Sequence, residues 1–346
     1  MAIVYDAPVT PDDLTAFIRE APTPADFALS AAFPVRTEDD NTVDFGAEVV
    51  RRNRTAKFRS FDGRIHVSER DASSGKRVKL PPLSSSLTRG EYERLQVEFA
   101  RTGGTNTGAL VNAIYDDAEQ LIREIRARME LAWGDVLTDG KLTINENGFA
   151  PDEADYGVPA SNKVTAATAW TSNTAQALTD LINWNNTYIS VKGARAGATR
   201  TSNRTVQLLL RNTEIINAVY GAAAGRTMVT LVDLNSLLVS LGIPPLVPTY
   251  DTKVDVDGDD VLVIPEDKVL FTPASLGDLG YTCFGVSATA LELVGSTQSD
   301  LSFADAPGVV GVVDKSGPPY REQTLVDAVG MPMLTDAKAL FIADVF

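Results

Sequence analysis

The residues from which most enzyme centres and extracellular frameworks are built are nearly missing from this chain. One cysteine, Cys283, and one histidine, His66, occur in 346 residues. A single cysteine excludes an intrachain disulfide and a cysteine-rich metal site. A lone histidine means that any Ser-His-Asp or Cys-His nucleophile would have to be built around His66. Basic residues are also few, 31 Lys and Arg against 46 Asp and Glu, for a net charge of −15. That balance argues against a general binder of nucleic acid or anionic membranes. No run approaches the roughly 18 apolar residues of a membrane span. The N-terminus, with Asp6, Asp12 and Asp13, does not read as a signal peptide. The chain reads as soluble and made in a reducing cytoplasm. At 44% hydrophobic and 22% charged it can bury an ordinary core, and its length suits two modest domains or one with extensions.

What is present is organised around the stretch from Thr107 to Leu137. Leu110, Ile114, Ala118, Leu121, Ile122, Ile125, Met129, Trp133 and Val136 recur at spacings of three and four. Those spacings put them in one stripe of an α-helix. Asp116, Asp117, Glu119, Arg123, Glu124, Arg126, Arg128 and Glu130 fall between them and are expected on the solvated face. Thr105 to Thr107 offer N-caps and Gly140 a stop. At ~1.5 Å per residue the helix would run about 46 Å, long for a globular chain. Ahead of it, Thr10-Pro11-Asp12-Asp13 opens a short helix with Leu14, Phe17 and Ile18 as its apolar side. Phe27, Leu29 and Phe33 follow in an extended context. This leader cannot form a core by itself and needs a surface, its own or a neighbour's.

Residues 51–90 reverse the charge. They hold eleven Lys or Arg against three acids, a local excess of +8, while the remainder carries −23. Turn signals at Asp62-Gly63, Ser73-Ser74-Gly75 and Pro81-Pro82 separate alternating runs at 42–50, 56–60 and 76–80. The segment reads as a two-stranded basic flap. Such a hairpin is marginal alone in water; it reads either as a solvated loop or nucleic-acid arm, or as a flap that reaches the acidic face of another copy. Its candidate interface residues are Arg51, Arg52, Arg54, Lys57, Arg59, Arg64, Lys76, Arg77 and Lys79.

Beyond the long helix the pattern is mixed. Strand and turns are expected over 140–157, helices over 174–188, 203–220 and 230–241, and strands over 246–250, 253–256, 261–264 and 268–271. Residues 322–346 read as two strands joined near Met331-Pro332. None of this assembles a catalytic constellation. Gly75-Lys76 and Gly140-Lys141 lack the rest of a phosphate-binding loop, and no G-x-G-x-x-G occurs. Asp255, Asp257 and Asp259 resemble a calcium loop, but Lys253 and Ile264 occupy the end positions where acids are required. Only a looser divalent site could sit there. Cys283, within Tyr281-Thr282-Cys283-Phe284, reads as a small buried residue. The chain reads as structural, needing no cofactor.

The order of parts resembles the major capsid proteins of tailed phages with the Hong-Kong-97-type fold. Local sequence resembles the phage lambda-like major head protein family, major capsid protein E. The matching stretches are Gly140-Lys141-Leu142-Thr143-Ile144 with Phe149 and Asp155-Tyr156-Gly157, then Leu208-Leu209-Leu210-Arg211-Asn212 to Tyr220-Gly221. Ile264 to Phe271, Gly280 to Gly285 and Arg321 to Phe346, with Pro332 and Asp336, complete them. The resemblance implies an α+β fold with an N-arm (1–45), an E-loop (46–92), a P-domain with its spine helix (93–165), an A-domain (166–314) and returning P-domain strands (315–346). It implies pentamers and hexamers tiling an icosahedral head that encloses double-stranded DNA without sequence-specific contact. A separate scaffolding protein, a portal at one vertex and a decoration protein are the implied partners, and the virion, after assembly in the host cytoplasm, the implied location. Some relatives cross-link a flap lysine to a neighbour's asparagine; Lys57, Lys76 and Lys79 could supply it, without a specific signal. The alternatives are an encapsulin-like cargo shell and a cytoplasmic hydrolase with an unrecognised site.

Overall fold

The spacing that predicts one long helix is realised as α3, Thr107–Asp139, of 33 residues. The computed structural model in which it is seen describes residues 9–45, 76–93, 107–145, 152–172, 174–222, 225–247, 250–297, 299–318 and 321–346. At ~1.5 Å per residue α3 is about 50 Å long. Every apolar stripe residue from Ile114 to Val136 named above is buried. The N-terminal half (Ile114, Ala118, Leu121, Ile122, Ile125) belongs to one core cluster and the C-terminal half (Ala132, Trp133, Val136, Leu137) to another. Gly140, at φ 73°, ends the helix in the left-handed region, its N–H bonded to the Val136 carbonyl at 2.9 Å.

The leader lies on its own body. Helix α1 (Pro11–Glu20) starts at Thr10, whose hydroxyl accepts from the Asp13 N–H. Leu14 and Ile18 pack on Gly311, where a Cβ would stand 2.2 Å from Ile18 Cδ1. The expected extended stretch is instead a short helix, α2 (Ala28–Ala32), which buries Leu29. Phe33, just after it, stacks on Trp133 with ring centroids 3.4 Å apart. The spacing of two and four would suit one face of a strand, but Leu29 and Phe33 are instead collected by contacts to Glu130 and Trp133 of α3, about a hundred residues on.

A five-stranded sheet lies beside α3. Strand β1 (Val35–Thr37) pairs parallel with β12 (Gly280–Phe284), which pairs antiparallel with β14 (Arg321–Leu334). Strands β13 (Val310–Ser316) and β4 (Pro82–Arg89) also pair antiparallel with β14. A second sheet runs β7 (Lys163–Thr165), β15 (Phe341–Asp344), β11 (Lys268–Thr272), β8 (Ala198–Thr201). Its β11 and β15 are buried along their length. Around it pack α4 (Ala177–Lys192), α5 (Asn203–Arg211), α6 (Thr213–Tyr220) and α7 (Leu231–Ser240), sharing the cluster of Trp170, Trp184, Tyr188, Phe271 and Phe341. Helix α8 (Ala288–Val294) leads into the loop before β13. Three two-stranded ribbons stand apart among the described residues: β2 (Thr42–Phe45) with β3 (Lys76–Lys79), β5 (Lys141–Ile144) with β6 (Asp152–Asp155), and β9 (Lys253–Val256) with β10 (Asp259–Leu262).

Three expectations are corrected. The helix expected over 203–220 breaks at Asn212, whose side chain accepts from the Ile215 N–H and caps α6. The C-terminal strands do not join at Met331-Pro332; β14 runs through that pair, and the break comes at Thr335 to Leu340. Pro332 is tolerated because of the way it faces. The Gly330 N–H points to the Pro81 carbonyl on the β4 side, and Pro332, two residues on, points the same way but beyond the end of β4. Its carbonyl accepts from the buried Tyr156 hydroxyl. Finally, residues 82–89 leave the flap and join the main sheet, with Leu83 and Leu87 turned inward and Ser84, Ser86 and Thr88 outward.

Candidate assembly surfaces

The flap has a built root. At its entry the Asn41 amide donates to the Val286 carbonyl and its oxygen accepts from the Val286 N–H, both at 2.9 Å. At its exit the Leu80 N–H donates to the Asn41 carbonyl at 2.9 Å, and Leu80 is buried in the central core. Between them β2 and β3 pair in the register Thr42↔Lys79 to Phe45↔Lys76. Val78 turns to the core, which sends Arg77 and Lys79 to the exposed face. Lys76 opens β3. Of the other interface candidates, Arg51, Arg52, Arg54, Lys57, Arg59 and Arg64 lie outside the described residues, as does His66.

The opposite charge stands on another ribbon. Between Asp251 and Leu262 there are five aspartates and one lysine. Asp257 and Gly258 turn the hairpin with φ values of 55° and 93°. The Asp255 carboxylate accepts from the Gly258 N–H at 2.7 Å, so it serves the turn. Asp255, Asp257, Asp259 and Asp260 are exposed. Among the described residues no group of three acidic, His or Cys side chains converges as a metal site. Beside this ribbon a groove of about 680 Å³ runs along α3, where Glu124, Asp255 and Asp257 are balanced by Arg123, Arg128 and Lys253. Sequence reading weighed these aspartates as a calcium loop and kept only a looser divalent site; their excess over Lys253 was the available signal for an acidic surface. Apolar surface is exposed on α7, where Val232 and Val239, seven residues apart and so on one face, are 74% and 58% accessible.

The remaining reactive candidate is spent on packing. Cys283 is fully buried in β12, where burial pushes its thiol up to about 12. Asp117, expected on the solvated face of α3, is part-buried and paired with Arg89 of β4. Burial holds its carboxyl above the usual range despite that partner.

This architecture has counterparts of known structure. The chain is similar to a protein provisionally described as the capsid protein of a prophage from E. coli CFT073, at 13% identity and TM-score 0.62, covering 98% of this chain and 99% of that one. It is also similar to a phage-related protein from Bordetella bronchiseptica RB50, at 14% identity and TM-score 0.57, covering 98% of each. At such identities the likeness is one of fold, the Hong-Kong-97-type capsid fold. No curated protein sequence matches the chain. The family model of phage major capsid protein E matches residues 10–345. With all but the outermost residues matched, the chain belongs to the phage major capsid protein E family and is a major capsid protein of a phage head.

Proposed function

We propose that copies of this chain are held head to tail by opposite charge, the basic flap of one subunit lying on the acidic β9–β10 ribbon of the next. The observation that carries this reading is the charge asymmetry of the chain, +8 on residues 51–90 and −23 on the rest, with five aspartates of that rest gathered at the β9–β10 ribbon. Each exposed pair is worth only about 0.2–1 kcal/mol, so cohesion comes from many pairs repeated around a closed ring. The exposed α7 face adds apolar contact between copies. In this reading residues 1–45 are the arm, 46–92 the flap together with β4, the strand by which it returns to the wall, 93–165 and 315–346 the wall itself, and 166–314 the part that meets its copies around pentamer and hexamer axes. The chain performs no catalysis. A scaffolding protein, a portal and a decoration protein are its partners during and after assembly in the host cytoplasm. The acidic shell repels packaged DNA and leaves it free to move.

The test is the combined substitution of Arg51, Arg52, Arg54, Arg59 and Arg64 by Gln. We expect a folded subunit with the unfolding midpoint of the parent that forms no shells by negative-stain imaging. Shells of normal size and yield from that variant would remove the electrostatic mechanism.

A further inference from the structure

A cavity of about 320 Å³ lies between the leader, α3 and the main sheet. Interiors are normally filled to the density of organic crystals, and a hollow of this size falls within the range of small-molecule sites. Its inner surface is apolar: Ile18 from α1, Ile122, Ile125 and Met129 from α3, and Phe284 from β12 all line it and all are buried. Val35 and Thr37 of β1, alternate residues of one strand, close the sheet side.

Two guanidinium groups also line the cavity, from different elements. Arg19 of α1 donates to the carbonyls of Asp305 and Val309 at 2.9 Å and of Pro307 at 3.2 Å. Arg126 of α3 donates to the carbonyls of Ala21 and Pro22, both at 2.5 Å. Every one of these acceptors is a neutral carbonyl. Among the described residues neither arginine forms an ion pair; the Asp305 carboxylate acts on Arg19 only from a distance. Burial pushes both guanidiniums below their ordinary value, although they stay ionised. Arg19 is exposed and Arg126 half-buried, and two cations with only neutral partners beside an apolar hollow suit one anionic head and one apolar tail.

We propose that this cavity binds a small amphipathic carboxylic acid, with its tail along Ile122, Ile125 and Met129 and its carboxylate between Arg19 and Arg126. Such a ligand touches α1, α3, β1 and the 307–309 loop at once, and so fastens the leader to the body. The proposal does not depend on how shells assemble.

Decanoate is the probe, titrated into the full-length chain by calorimetry and by thermal unfolding, with decanol as the uncharged control of equal length. We expect one decanoate per chain, a raised midpoint, and binding about tenfold tighter than decanol, or roughly 1.4 kcal/mol. Arg126→Gln should erase the preference for the acid over the alcohol while retaining the tail's binding. Met129→Trp, which fills the hollow, should abolish both; Ile122→Phe is the second filling variant should Met129→Trp fail to fold. Absence of saturable binding, equal affinity of the parent for acid and alcohol, or unchanged binding in a folded filling variant would each overturn the site. Uptake only by a chain lacking residues 1–8 would overturn it too, since the chain's own N-terminus would then be the occupant.

Discussion

Glu130 shows how a charged residue is recruited as a structural acceptor. It is fully buried, although the sequence places it among the charges of α3. Helix α2 opens at Phe27, which has no side chain able to cap it, and so its first N–H groups need an acceptor from elsewhere. The Glu130 carboxylate supplies it, accepting from the Leu29 and Ser30 N–H groups at 2.8 and 2.6 Å and from the Ser30 hydroxyl at 2.5 Å. The Tyr250 hydroxyl donates to it as well, and burial together with this carboxylate holds that phenol well above its ordinary range. The signal in the sequence was position: 130 is three before Trp133 and seven before Leu137, on their side of the helix. Replacing Glu130 by Gln keeps the shape but turns an N–H₂ toward groups that themselves donate. We expect a loss of about 3 kcal/mol in denaturant unfolding, with faster proteolysis within residues 21–27. Tyr250→Phe removes one donor and should cost about 1 kcal/mol. A Glu130→Gln variant within 0.5 kcal/mol of the parent would refute the capping role.

Among the elements, α3 was legible because its period is long and unbroken, but its meaning along the length was not. Gly134 illustrates this. A helix glycine is ordinarily a loss of about 1 kcal/mol against alanine. Here a Cβ would stand 2.1 Å from the Val263 backbone oxygen, because the segment after β10 crosses α3 at that point. No local pattern announces a crossing partner 129 residues away. The carboxylates of α3 are similar. Burial raises Asp135 above the ordinary carboxylate value, with Asp139 and Glu153 pushing the same way and the Thr143 N–H and Arg128 opposing. A carboxyl that holds its proton more tightly folded than unfolded lowers stability at neutral pH. It returns that stability as pH falls through its folded value toward the unfolded value near 4. Asp135→Asn keeps an oxygen to accept the Thr143 N–H, 2.8 Å away, and removes the desolvated charge. We expect the variant to be at least as stable as the parent at pH 7. Its gain over the parent should shrink between pH 7 and pH 4. A variant less stable than the parent at pH 7, with a gap closing on acidification, would mean instead that the charge is stabilising.

At the scale of the molecule, the second sheet decides whether the body is one cooperative unit or two. Its central strands send alternate residues into different cores. On β11, Val269 and Phe271 join the cluster of α4 to α7, while Leu270 joins the central one. On β15, Phe341 and Ala343 face the first and Ile342 the second. Strands buried on both faces read as continuous apolar runs, which is why β11 was legible while β12, equally buried, was taken only as an apolar context. Strand β4 was hidden for a different reason: it is serine-rich and its partner β14 lies more than 200 residues on. The charge asymmetry was legible in composition; the gathering of aspartates on one ribbon needed the fold. Cores that share strands cannot melt apart without stripping one face of the shared sheet. The tryptophans permit a direct measurement, since Trp133 sits in the central core and Trp170 and Trp184 in the other. Phe341 stacks on Phe271 with ring centroids 5.5 Å apart and is fully buried. Phe341→Ala in the unassembled subunit should cost about 3–5 kcal/mol. Followed by Trp133 alone, with the other tryptophans replaced by Phe, the midpoint should fall as far as when followed by Trp170 and Trp184. A midpoint at Trp133 that stays in place while the other moves would show two independent units, and the shared sheet would then not couple them.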